Sequence, residues 1–183
     1  MEFWGDGLQL LKSHPLFGIG FGYMPDAIGH TAHNTIVVCA AELGLCGLFF
    51  WSMFLFPTLR DVLAVAWPKN IVEKKAVVLS DTAFPLAPPG SGVPDESEIR
   101  RLGRLLVLSF TGFMVTGWFL SRAFVLTLFL LGGLTEVVYQ MALQRGMVSP
   151  RLPLGRTLKY SGMMAVGFIL VMYLTLRIVN LTH

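Results

Sequence analysis

Charge is scarce in this chain of 183 residues: 14% of them are Asp, Glu, Lys or Arg, against 54% hydrophobic residues. With a mean hydropathy of +0.66, that shortage excludes an ordinary soluble domain, in which about a quarter of residues are charged. Cysteine is scarcer still. Cys39 and Cys46 are the only two, and seven helical positions separate them by about 10 Å along one axis. No disulfide spans that distance. A basic leader is lacking too: Met1–Asp6 carries Glu2 and Asp6 where a secretory n-region carries Lys or Arg, and no short apolar core follows.

What is present is long apolar runs. Four windows reach the roughly 20 residues that a bilayer requires: 35–56, 102–120, 123–143 and 160–181. Each is expected to be a helix, because the hydrocarbon core offers backbone groups no other partner. The fold class is therefore an all-α integral membrane protein with four transmembrane helices and an exported N-terminal loop segment. Residues 1–34 form that exported segment and residues 35–183 the transmembrane region.

The net charge of +3 is no nucleic-acid signal, because the basic residues sort into loops. Arg60, Lys69, Lys74, Lys75, Arg100 and Arg101 follow the first window, and Arg145, Arg151, Arg156 and Lys159 precede the last. The positive-inside rule places both loops in the cytoplasm. The N-terminal segment, the Ser121-Arg122 turn and the C-terminus then lie outside. In the 67–101 connection, Pro85, Pro88, Pro89, Gly90, Gly92 and Pro94 oppose regular structure, and Asp95, Glu96 and Glu98 solvate it. A flexible cytoplasmic loop is expected there, with a short surface helix over 69–79.

Within the exported segment, W-G-D-G-L-Q-L-L-K from Trp4 to Lys12 predicts a short amphipathic helix ended by His14-Pro15. The following L-F-G-I-G-F-G-Y-M has no strand-turn-helix context for a nucleotide loop. It reads as a tight exposed loop on the membrane surface.

The titratable residues gather at the mouth of the first window, in G-H-T-A-H-N-T-I-V-V-C-A-A-E-L-G-L-C-G. One helical turn would put His30 and His33 on a common face. Zinc needs a third protein ligand, and none stands at a matching spacing, so no metal is expected. The other chemistry open to these histidines is proton transfer from a hydroxyl; the plain structural reading is a histidine that lines the helix entry. Glu42 lies two turns into the helix, where an acid is expected to face a bundle interior or a wet cavity. Glu136, near Tyr139 and Gln140, reads as a packing or pairing residue.

The stretch from W4…L8…H-P-L-F-G-I-G-F-G-Y-M to H-T-A-H-N-T-I-V-V-C-A-A-E-L-G-L-C-G-L-F-F resembles the O-antigen ligase/O-antigen polymerase family of bacterial membrane glycosyltransferases. The matching residues are His14, Pro15, Gly18, Gly20, His33, Asn34, Glu42, Gly44 and Gly47. The resemblance covers residues 4–60; beyond that, only the helix pattern matches.

It implies transfer of a glycan from an undecaprenyl-diphosphate carrier to an acceptor hydroxyl on a glycan, lipid or protein, at the outer face of the inner membrane, in cell-surface polysaccharide biosynthesis. It implies no cofactor or metal. Carried over by position, His33 deprotonates or orients the acceptor, with His30 beside it. Asn34 binds substrate or fixes the imidazole, Glu42 supports the loop, and His14, Gly18 and Gly20 shape it. Members of the family have more helices and upstream exported arginines for the diphosphate, so the chain is expected to be a C-terminal portion that works with a missing N-terminal half. The alternative is a non-catalytic membrane remnant or partner subunit. A metal-dependent hydrolase built on His30 and His33 lacks ligands.

Overall fold

The computed structural model describes residues 2–67, 94–120 and 126–181. Among these the architecture is helical throughout: α1 (Glu2–Ser13), α2 (Met24–Ile28), α3 (Thr35–Ala66), α4 (Glu96–Phe119), α5 (Leu126–Gln144) and α6 (Leu154–Leu181). Four of them, α3 to α6, are long and apolar enough to cross a membrane. The chain is a multi-pass membrane protein in its helix pattern.

α3 is the hub, and packs against each of the other five helices. Its most apolar window is 61% buried, against 17%, 28% and 17% for α4, α5 and α6. Those three surround it and turn large apolar side chains such as Leu108, Leu130 and Val166 outward, as lipid-facing helices do.

Three boundaries differ from the sequence reading. α3 runs ten residues past the expected end at Phe56, through Pro57 to Ala66. Proline removes one ladder donor, but helices packed in a membrane tolerate it when neighbouring groups re-satisfy the backbone. The Thr58 hydroxyl adds a hydrogen bond to Phe54 O at 2.7 Å, the carbonyl next to that of Met53, which proline leaves without its helical donor. Arg60 and Asp61 are therefore helical. α4 begins at Glu96, inside the stretch read as flexible loop. Asp95 caps it: its carboxylate accepts from Glu98 N at 2.8 Å, while the Glu98 side chain accepts from Asp95 N at 3.1 Å. This reciprocal capping box holds the exposed Asp95 carboxyl below its ordinary pKa, first through the Glu98 backbone bond. α6 starts at Leu154, so Arg156 and Lys159 also belong to a helix. The expected surface helix over 69–79 and the Ser121-Arg122 turn lie outside the described residues.

The N-terminal segment is more ordered than a surface loop. α1 forms as the W-G-D-G-L-Q-L-L-K pattern predicts, and buries Trp4, Gly7 and Leu11 on one stripe. Gly7 lets it sit close to α3, because a Cβ there would collide with Val37. The Leu16–Gly22 loop does not merely cover the surface. It docks onto a break in α3.

That break is at Gly44, whose φ of 67° and ψ of −164° lie outside the helical region, in a conformation essentially reserved for glycine. In an unbroken helix Leu45 N would donate to Ala41 O, and Cys46 N to Glu42 O. Instead the loop takes all four groups. Ile19 N donates to Ala41 O at 3.0 Å and Gly20 N to Glu42 O at 2.9 Å; Leu45 N donates to Pro15 O at 2.9 Å and Cys46 N to Leu16 O at 3.1 Å. The two backbones approach so closely that neither Gly18 nor Gly44 has room for a side chain. A Cβ on Gly18 would stand 2.6 Å from Ala41 O, and one on Gly44 2.5 Å from the Leu16 carbonyl. Gly18 also has a φ of 66°.

Gly44→Ala and Gly18→Ala are each expected to lower the thermal midpoint of the protein in detergent. Backbone strain alone costs about 1–3 kcal/mol at such positions, before any displacement of the facing carbonyl. Gly5→Ala is the control, since a Cβ there meets nothing within 4 Å. A Gly44→Ala protein that unfolds at the wild-type temperature would show that the break does not depend on glycine.

Candidate functional site

The mouth of α3 is built by its N-cap. Asn34 is fully buried and extended, with φ −147° and ψ 122°. Its Oδ1 accepts from Ile36 N at 2.9 Å and Val37 N at 3.1 Å, two of the donors that a helix start leaves without partners. Its Nδ2 donates to Trp118 O at 3.0 Å. The Thr35 hydroxyl donates to Leu120 O at 2.7 Å. Adjacent side chains thus tie the start of α3 to the end of α4. The carboxamide of Asn34 is thus committed to backbone groups of α3 and α4.

The preceding residues reverse the chain. α2 ends on Gly29 in the left-handed region, and His33 adopts φ 48°, the one described non-glycine residue with positive φ. His30 and His33 therefore share no helical face; they lie in an irregular turn. They meet at Phe3 of α1 instead. The Phe3 ring stands 4.1 Å from the His30 ring and 6.3 Å from that of His33, edge-on to both. His33 is exposed. His30 is half-buried, with Nε2 3.6 Å from the Asp6 carboxylate and a buried Nδ1 that has no hydrogen-bond partner among the described residues. Phe3 and Asp6 are not among the site residues expected from the sequence. The signal for them is the period of α1: once Trp4, Gly7 and Leu11 face α3, Phe3 and Asp6 fall beside that stripe.

The other expected site residues serve the loop. His14 closes α1 through its backbone N–H to Leu10 O at 2.9 Å, and its carbonyl accepts from Gly18 N at 3.0 Å. Its ring Nδ1 is 3.0 Å from the Ser13 hydroxyl. Gly18 and Gly20 supply the docking backbone. Glu42 is 4% exposed and holds the loop through its main-chain carbonyl. No described cation stands within ion-pair distance of its carboxylate. Among the described residues no group of three His, Cys, Asp or Glu converges to hold a metal ion.

A second polar cluster lies at the opposite end of α3. Arg151, in the α5–α6 connection, donates from Nε to Asp61 at 2.7 Å and from Nη2 to Glu136. Its guanidinium also lies 4.8 Å over the Tyr139 ring, whose hydroxyl donates to Ser149 O at 2.8 Å. Gln140 adds a hydrogen bond to Glu136 at 2.8 Å. Partial burial works against the Arg151 charge, but the bonds to Glu136 and Asp61 outweigh it and hold its pKa above the ordinary arginine value. A cavity of about 570 Å³ opens beside the cluster, lined by Arg60, Asp61, Glu136 and Arg151. Two guanidinium groups face two carboxylates there, so the charges neutralise one another. The cluster acts as a latch between α3, α5 and the α5–α6 connection. Glu136 is a pairing residue, as its neighbours in the sequence suggest. Asp61 escapes sequence reading because Pro57 hides the continuation of the helix.

Arg151→Met is expected to destabilise the protein toward the lower end of the about 3–5 kcal/mol seen when one partner of a buried ion pair is removed, because Arg151 itself is 45% exposed while Asp61 is 2% exposed. Adding Asp61→Asn to that variant should recover much of the loss. Arg151→Lys should not replace arginine, since one ammonium lacks the fork that bridges two carboxylates. Wild-type stability of Arg151→Met would show that the latch contributes nothing.

No protein-family model, curated protein or solved structure matches the chain.

Proposed function

We propose that the chain is the C-terminal part of a membrane glycosyltransferase of the O-antigen ligase/polymerase type. It transfers a glycan from an undecaprenyl-diphosphate carrier to an acceptor hydroxyl at the outer face of the bacterial inner membrane. The observation that carries this reading is the state of His33. It is exposed, held at φ 48°, and placed directly before the buried N-cap of a membrane-spanning helix. Left-handed backbone at a non-glycine residue is a stored cost, and here it presents an imidazole at the helix mouth on an otherwise rigid frame. The residues that carry the family resemblance support it further, since Gly18, Gly20, Glu42 and Gly44 form the clasp that fixes α1, and with it Phe3, beside the histidines.

In this mechanism the His33 imidazole accepts the proton of the acceptor hydroxyl. The oxygen forms its bond to the anomeric carbon as the bond to the carrier diphosphate breaks. Two of the N–H groups at the start of α3 are already taken by Asn34, so the leaving diphosphate needs cations from elsewhere. The reading as a C-terminal part assigns those to the preceding helices. A second assignment of the base is favoured by one contact. His30, with Asp6 3.6 Å from Nε2, has the carboxylate neighbour that orients a catalytic imidazole in many hydrolases. The non-catalytic alternative, a partner subunit of such an enzyme, keeps the frame without the proton transfer.

The test is transfer of glycan from a polyprenyl-diphosphate donor in membranes that hold this chain together with the preceding helices. His33→Ala is expected to reduce transfer by about 10²–10⁴-fold, the usual contribution of a general base, at unchanged protein level and thermal midpoint. His30→Ala and Asp6→Asn should cost less, and chelator should have no effect. If His30→Ala and Asp6→Asn together cause the loss while His33→Ala does not, the base is His30. Wild-type transfer by all three variants would leave the partner-subunit reading.

A further inference from the structure

A larger cavity lies away from both polar clusters. It is a groove of about 1330 Å³ between α1 and the C-terminal half of α6, floored at Leu45 just past the break in α3. Its wall is apolar, with Leu45, Ile169 and Leu170, and Lys12, Arg177 and Tyr173 also line it. Lys12 belongs to the last turn of α1, and Arg177 to the last turns of α6. The fold brings these two cations to one groove from opposite ends of the chain. No acidic residue lines the groove, and neither cation forms an ion pair among the described residues. Asp6, which contacts His30, is six residues before Lys12 on α1, about 9 Å along its axis.

We infer that this groove binds one anionic phospholipid, with its phosphate between Lys12 and Arg177 and its acyl chains along Leu45, Ile169 and Leu170. The charge balance selects the headgroup. A zwitterionic lipid brings its own cation to a rim that already holds two. The wall selects the tails, because a groove on the perimeter of a membrane helix bundle meets acyl chains rather than water. Tyr173 adds a phenol, a side chain suited to the depth at which apolar and polar regions meet. Basic residues along membrane helices are an established means of holding lipid headgroups. This inference does not depend on the glycan-transfer reading.

The purified full chain is to be incorporated into bilayer discs of phosphatidylcholine, with phosphatidylglycerol of matched acyl chains titrated in. Lipid retained on the protein is read by native mass spectrometry, and the thermal midpoint is read in parallel. One basic side chain near an anionic surface gives roughly a fivefold preference. The wild-type chain is therefore expected to retain phosphatidylglycerol over phosphatidylcholine by about twenty- to thirtyfold, and Lys12→Gln/Arg177→Gln should abolish that preference. Both side chains are exposed, so the double variant should fold. Leu170→Trp, which fills the groove, should reduce retention of either lipid at an unchanged midpoint in detergent. Equal retention of the two lipids by wild type overturns the inference, as does a preference that survives the double substitution. Inorganic phosphate that raises the midpoint as far as phosphatidylglycerol does would likewise overturn it, since the acyl chains would then play no part.

Discussion

Four backbone hydrogen bonds join residues 15–20 to the break in α3 at Gly44, and the placement of α1 at the N-terminal half of α3 depends on them. A membrane-spanning helix cannot open its ladder without cost, because an unpaired N–H or C=O in apolar surroundings costs several kcal/mol. Gly44 opens it by rotating the chain. The loop supplies two donors and two acceptors at the positions that the rotation frees. The same contacts fix the loop between α1 and α2, and therefore fix where α1 lies on α3. Remove the break, and the loop has no docking edge; remove the loop, and the break has no partners.

The position of α1 then decides the chemistry available at the mouth of α3. Phe3 reaches both imidazoles and Asp6 reaches His30, because α1 is held along α3 by Trp4, Gly7 and Leu11. The N-cap acts at the same corner. Asn34 and Thr35 consume carbonyls at the end of α4 while Asn34 also satisfies the first turn of α3. Tying two helix ends together with adjacent residues leaves little freedom for the residue before them, and His33 takes the left-handed conformation.

The opposite end of α3 uses charge where this end uses backbone. Asp61 is buried on the hub helix and is neutralised by Arg151 from a connection remote in sequence. A single guanidinium there also satisfies Glu136 and lies over Tyr139. Between these two fixed ends, α3 is covered by apolar contacts with α4, α5 and α6. Those helices bury little of their own surface and leave the rest to lipid.

Apolar run lengths alone determined that four helices are long enough to span a membrane, and the amphipathic period alone located α1, because both are local properties of composition and spacing. The residues of the loop and of the α3 break were also visible as a motif, though not their relation. Nothing in G-x-G or E-x-G says that one backbone docks on the other, since the close approach of Gly18 to Glu42 joins groups more than twenty positions apart. The continuation of α3 past Pro57 was hidden for a like reason: the packed neighbours, not local propensity, make proline tolerable there. Asn34 could be seen as a polar residue at the helix entry but not as the cap of α3 or a bridge to Trp118, and His30 not as the neighbour of Asp6. Each of these pairings brings remote segments into hydrogen-bonding or ion-pair distance, and only the packing of helices around α3 decides which remote segments meet.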